Sequence, residues 1–344
     1  MRQTGRLYGV LCFLPVLFSP SARAADGVSA PPASEASISS PLSVQLLKMQ
    51  SAAQRLNYSG SFVYQQGSVI RSSRVTHVMT AKGEEEKLEL LDGKPREFIR
   101  HHDDVVSYLP DLRIMRKEKR VTRDVFPAIL DARPEDLAEH YRFAAGAEER
   151  VAGRICRAIV LEPLDQLRYG YRFCGDKSTG LLLRAQTLGA KGEVIEQISF
   201  TQIEIGGIDR SRVSPTYKDT RGWQLEQASM SPADLSVWRV TPPPGFRKVQ
   251  QVRRLIPDRA PDGAAPAQNR PAGREVSQIV FSDGLAAISV FIEPGSQGRE
   301  EGTIQEGAMN ILGRRQGDYW LTVVGEVPPA AIRQVSNSIE LTSK

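Results

Sequence analysis

The chain has 344 residues, 40% of them hydrophobic, with 45 Lys plus Arg against 40 Asp plus Glu. That length and apolar content suit two folded domains, each with a core of its own. The formal charge of +5 falls to +2 once residues 1–24, read below as a cleaved leader, take three arginines and no carboxylate with them, so the positive excess that nucleic acid demands is missing.

Arg2 and Arg6 precede the apolar run Leu7–Phe18, and Ala22-Arg23-Ala24 follows as a small-x-small cleavage site. This order predicts an export signal peptide with the mature chain starting near Ala25, and hence a periplasmic protein. The run is too short to span a bilayer, which takes about 20 residues. Cys12 sits inside it, directly after Leu11 and without the small residue of a lipobox, so no lipid anchor is expected. Residues 25–40, rich in Ala, Ser and Pro, read as a flexible leader.

Beyond Pro41, the residues Leu42, Leu46, Met49, Ala53 and Leu56 recur at four- and three-residue spacing, which predicts a helix of about four turns ending near Asn57. The period then drops to two. Ser61–Gln65, Arg74–Met79, Glu86–Leu91, Glu97–His101 and Val105–Leu109 are short runs divided by Gly- or Asp-bearing turns, the pattern of an antiparallel meander. Pro134–Glu139 opens with Pro and acids, as a helix start does. Strands resume at Arg150–Leu161, Arg168–Phe173, Leu181–Leu188 and Val194–Ile205, with Asp176–Gly180 as a hairpin turn whose Gly takes the left-handed position.

Residues 209–222 are polar and lack an apolar pattern, so they read as a linker between a first domain, 41–208, and a second, 223–344. In the second, Trp238-Arg239-Val240 and Phe246–Val252 flank the rigid corner Pro242-Pro243-Pro244-Gly245. Ile279-Val280-Phe281 and Ala287–Ile292 flank Ser282-Asp283-Gly284, the strongest short hairpin signal of the chain. Residues 257–275, rich in Pro, Gly and Ala, predict a mobile loop. A last strand, Tyr319–Val324, leads through Pro328-Pro329 into a helix from Ala330 to Ile339, with Ile332, Val335 and Ile339 on its buried face.

Cys156 and Cys174 survive cleavage as a pair, and an oxidising compartment favours their disulfide over two free buried thiols. Their midpoint, residue 165, ends the turn-like Glu162-Pro163-Leu164-Asp165, so a hairpin folded there sets the two cysteines directly opposite each other. No nucleophile elbow, P-loop or dinucleotide fingerprint occurs. His101-His102-Asp103-Asp104 holds metal-ligand residue types, but neighbours on a strand point to opposite faces, so the expectation is a strand end entering a polar turn. No enzyme, metal site or cofactor is expected.

Two features bear on binding. Arg113, Arg116, Lys117, Lys119, Arg120 and Arg123 place six cations in eleven residues, a candidate surface for lipid phosphates or an acidic partner, or else a solvated strand face. Phe62 and Tyr64, two apart on one strand, share a face that either lines a lipid cavity or packs a core.

Specific phrases go further than patterns. Asn57–Tyr64, Glu86–Glu97, and Tyr169-Gly170-Tyr171-Arg172 followed by Asp176–Leu183 resemble the RseB/MucB family. Phe281–Leu285, Ser289–Glu293 and Thr322–Pro328 resemble the C-terminal domain of that family, and the similarity runs in order from about residue 42 to the end. The resemblance implies a mainly β (α+β) protein whose N-terminal domain is a LolA/LolB-like open half-barrel with helices, followed by a smaller antiparallel β domain with a terminal helix. It also implies a periplasmic regulator of envelope stress, which binds the periplasmic part of a membrane anti-sigma factor (RseA or MucA) and shields it from regulatory proteolysis. Lipopolysaccharide or acyl chains would then release it, and self-association into a homo-oligomer is a property the resemblance allows. The rival reading is a periplasmic lipid or lipoprotein carrier, which the second domain argues against.

Overall fold

Ser40 opens the first helix: its Oγ accepts the backbone N–H of Ser43 at 3.1 Å, and Pro41, with no N–H to leave unpaired, takes the first helical turn. The computed structural model describes residues 40–119, 126–127, 132–227, 230–256, 274–295 and 298–342. The expected signal peptide and leader through residue 39, Arg120, Arg123 and residues 257–273 of the expected loop lie outside these. Arg274 and Glu275, also assigned to that loop from sequence, already belong to a strand.

Helix α1 (Pro41–Arg55) buries Leu46, Met49, Ala52 and Ala53, the face expected from the spacing. Strands β1 (Tyr58–Gln66), β2 (Val69–Thr80), β3 (Gly83–Leu90), β4 (Arg96–His101), β5 (Asp104–Leu109) and β6 (Ile114–Lys119) follow as a meander. After the one-turn α2 (Pro134–Ala138) come β7 (Tyr141–Val151), β8 (Arg154–Pro163), β9 (Gly170–Asp176), β10 (Leu182–Leu188) and β11 (Val194–Ile205). With β12 (Gln224–Gln227) they form one sheet of twelve strands in the order β12-β6-β5-β4-β3-β2-β1-β11-β10-β9-β8-β7. The two meanders join where β1 pairs with β11, and β12 and β7 remain as edges, so the sheet is open. Strand β7 escapes sequence reading because a bulge between Ala145 and Glu148 breaks its alternation.

The polar stretch 209–222 does not bridge a gap between bodies but lies along the first sheet. Arg210 Nη2 donates to Glu85 at 2.5 Å, the Thr216 N–H to Glu97 at 3.0 Å, and Lys87 Nζ to Thr216 at 2.8 Å. Tyr217 and Trp223 pack on Tyr108 with ring centroids 6.1 and 6.4 Å away. Then β12 pairs in parallel with β6.

The second domain holds β13 (Met230–Pro232), β14 (Trp238–Arg239), β15 (Arg247–Ile256), β16 (Arg274–Ser282), β17 (Ala287–Pro294), β18 (Gly302–Glu306), β19 (Met309–Gln316), β20 (Tyr319–Gly325), α3 (Pro329–Asn337) and β21 (Glu340–Leu341). Seven of these strands form an antiparallel sheet in the order β13-β15-β16-β17-β20-β19-β18, and β14 pairs with β21. Helix α3 turns Ala331, Ile332 and Val335 into a core with Ile288, Val290, Leu321 and Val323. The chain is therefore mainly β: a large open sheet with α1 packed against it, then a smaller antiparallel sheet with a terminal helix.

Candidate functional site

Phe62 faces Phe200 across β1 and β11, and Phe126 closes the trio, with centroids 4.9 to 6.0 Å apart. Only 5% of Phe62 is exposed. Around it, Leu46, Met49 and Ala53 of α1, Leu137 of α2 and the second domain's Leu285 fill the same core. Phe62 thus packs a core rather than lining an open cavity. Two cavities, of about 380 and 340 Å³, have largely polar walls that include Glu85, His101 and Arg210 in one, and Ser59, Arg74, Glu89 and Arg212 in the other.

Tyr64 lies two residues on, at the junction of the domains. Its hydroxyl donates to Glu196 at 2.9 Å, and Glu196 also accepts the backbone N–H of Ala308 from the second domain. Burial, then the neighbouring Glu196 charge, push the Tyr64 phenol well above its usual range, while burial raises the Glu196 carboxyl. Near it, Asn310 Nδ2 donates to Tyr169 Oη at 3.1 Å.

The described part of the basic run, through Lys119, is β6 and the turn before it, and strand alternation splits its charges. Arg116 shares a face with Glu226 of β12 and pairs with it at 2.8 Å. Lys117 and Lys119 point to the other face, Lys119 paired with Asp104 at 2.5 Å. Arg113 sits in the turn with φ 51°. The described cations therefore form no single patch.

Cys156 and Cys174 form the expected disulfide, with Cα atoms 5.4 Å apart. The register differs from the expectation of directly opposed cysteines: Ala158 opposes Cys174 and Asp176 opposes Cys156, so the bond runs diagonally. The hairpin is centred on residue 166, one beyond the expected 165, as the register pairs from Cys156–Asp176 to Leu161–Tyr171 show.

Sequence reading missed two buried polar groups. His77 is wholly buried, stacked on Tyr58 at 4.8 Å, with Nδ1 2.7 Å from the Leu56 carbonyl and Nε2 3.0 Å from Glu84 Oε1. Arg100 Nη2 donates to Glu84 at 2.6 Å and to Glu86 at 3.0 Å. The second group, Arg168, Asp283 and Tyr141, joins the domains. Periodicity carried no signal for either: the charged residues of the first group sit on strands and read as a solvated face, while Arg168 and Asp283 sit in a loop and a turn, where there is no period to read.

Among the described residues, the two joined β domains assemble no cluster of metal-ligating side chains. Residues 42–228 match the MucB/RseB N-terminal domain and residues 232–340 the MucB/RseB C-terminal domain. The chain is 26% identical over 303 residues to the sigma-E factor regulatory protein RseB of Haemophilus influenzae, covering 85% of this chain and 89% of that protein. It is 28% identical over 322 residues to the sigma factor AlgU regulatory protein MucB of Pseudomonas aeruginosa, covering 86% and 89%. Among solved structures, the Pseudomonas aeruginosa MucA/MucB complex includes a chain that superposes with TM-score 0.68 at 26% identity, over 89% of this chain and 100% of that one. A crystal structure of MucB with the periplasmic part of MucA gives 0.66, also at 26% identity, over 88% and 99%. Both domain signatures, in order and on the two sheets just described, place the chain in the MucB/RseB family.

Proposed function

We propose that this chain is an exported, non-enzymatic regulator that binds the periplasmic segment of a membrane anti-sigma factor of the RseA/MucA kind and shields it from regulatory proteolysis. One observation carries this reading: the similarity to MucB, as it stands in complex with MucA, spans both domains and nearly the whole of that chain. Shielding is a matter of occupancy, so the protected fraction follows partner concentration by mass action. A lipid that binds only the free regulator lowers that occupancy. The basic cations Arg113, Lys117 and Lys119 are candidate contacts for lipid phosphates. An acyl chain seeking the Phe62 core would have to displace Phe126 or Leu285.

The test is capture of the purified periplasmic fragment of the anti-sigma factor by the mature chain, read together with protection of that fragment from its protease. Binding with protection supports the proposal. Capture of lipid without the fragment would favour a carrier, and turnover of a substrate would sink the non-enzymatic reading.

A further inference from the structure

The turn between β16 and β17 reaches out of its own sheet into the first domain. Its Asp283 divides two oxygens between two tasks. Oδ1 accepts the backbone N–H groups of Leu285 at 3.0 Å and Ala286 at 2.8 Å, which closes the turn itself. Oδ2 accepts Arg168 Nε–H at 2.9 Å and the Tyr141 hydroxyl at 3.1 Å, both from the twelve-stranded domain. Leu285 packs into the first core instead of the second. Gly284 lies so near Ala132 that a Cβ there would stand 2.1 Å from the Ala132 Cβ.

Arg168 is committed as fully from the other side. Nη1 donates to Asp165 in its own loop and Nη2 to the Pro244 carbonyl across the junction, while the guanidinium lies 5.0 Å from the Phe246 ring centroid. One arginine thus grips the second domain at Pro244, Phe246 and Asp283. The side chains of Arg168 and Asp283 are both completely buried. Such a pair resists partial opening, because parting it leaves the buried Asp283 carboxylate without its cation and Arg168 with Asp165 alone. Interfaces between domains of one chain are ordinarily polar and permit relative motion. This one is polar too, but the charged pair at its centre is fully buried.

We propose that the 282–286 turn is a latch that holds the two domains in one fixed orientation and makes them unfold together, with Arg168 and Asp283 the pair that keeps it shut. The same turn seats Leu285 in the first core, so any event that expels Leu285 also opens the latch.

The test uses the whole mature chain and approaches the pair from both domains. D283N keeps Oδ1 as the acceptor that closes the turn but sets an amide against Arg168; R168M removes the guanidinium. Calorimetry of the unaltered chain should show one cooperative transition, and each variant should resolve into two, with a larger radius of gyration in solution scattering. The double variant should go no further than either single one, as expected of partners in one interaction. A single transition at lower temperature with an unchanged radius in both variants would make the pair ordinary packing and overturn the latch. Should both fail to fold, Y141F, which removes one of the two donors to Oδ2, is read by the same two measurements. A broadened or split transition with a larger radius supports the latch, and one sharp transition with an unchanged radius overturns it.

Discussion

Cys156 on β8 is bonded to Cys174 on β9 although neither residue is the register partner of the other. Both lie in the first core at 1% exposure or less, so the bond ties two buried strands and not a loose surface loop. A link across 18 residues removes unfolded-state entropy worth about 3 kcal/mol. The C156A/C174A double variant should therefore lose about 3 kcal/mol in urea unfolding. Loss below about 1 kcal/mol would show that the hairpin is held without it.

Glu84 and Asp176 set the acid limb of stability. Burial alone would raise the Glu84 carboxyl, but the hydrogen bonds and charges of Arg100 and His77 outweigh it and hold that group well below the usual carboxylate range. Burial is likewise outweighed at Asp176, by Arg154, Ser178 and Thr179. A folded pKa below the unfolded one contributes stability that is fully present above the unfolded value of about 4 and is lost as pH falls toward the folded value. Urea midpoints should thus be flat from neutrality to about pH 5 and drop steeply below it. E84Q and D176N should each make that drop shallower and cost about 1–2 kcal/mol at pH 7. Equal slopes in variant and parent would reject the assignment.

Much of this fold was legible because its segments obey simple periods. Leu46, Met49 and Ala53 announced α1, and the turns at Gly180 (φ 87°) and Gly284 (φ 96°) marked real hairpins. Reading failed where one residue serves two purposes. Asp283 was visible as a turn residue, yet its second oxygen answers to Arg168, 115 positions away, and no local pattern encodes that. The basic run left two readings open, a binding surface or a solvated strand face, and a count of cations could not decide between them because β6 sends Arg116 to one face and Lys117 to the other. Strand β18 went unread because an exposed edge strand such as Gly302–Glu306 buries nothing and so shows no alternation.

Phe62 tests whether the first core is closed. Packed among Phe126, Phe200 and the helix, its loss leaves a cavity that the neighbouring strands cannot collapse to fill. F62A should destabilise by about 3–4 kcal/mol in urea. A cost under about 1 kcal/mol, together with tighter uptake of a fluorescent fatty acid, would instead mean that Phe62 borders space open to ligand.

Arg116 and its neighbours on β6 should separate by face. Arg116 is half-buried and pairs with Glu226, so R116M removes a tie between β6 and β12 and should cost about 0.5–1 kcal/mol. Lys117 and Lys119 are exposed on the opposite face, Lys119 in a solvent-screened pair with Asp104, so K117E/K119E should leave stability within about 0.5 kcal/mol. If that face steers an acidic partner or a phosphorylated lipid surface, the reversal should slow association several-fold at low salt, with the difference vanishing as the Debye length shrinks. Stopped-flow association with the anti-sigma fragment, and with anionic against neutral vesicles, measures this directly. Rates unchanged at every ionic strength would reduce the exposed lysines to a solubilising face of an ordinary strand.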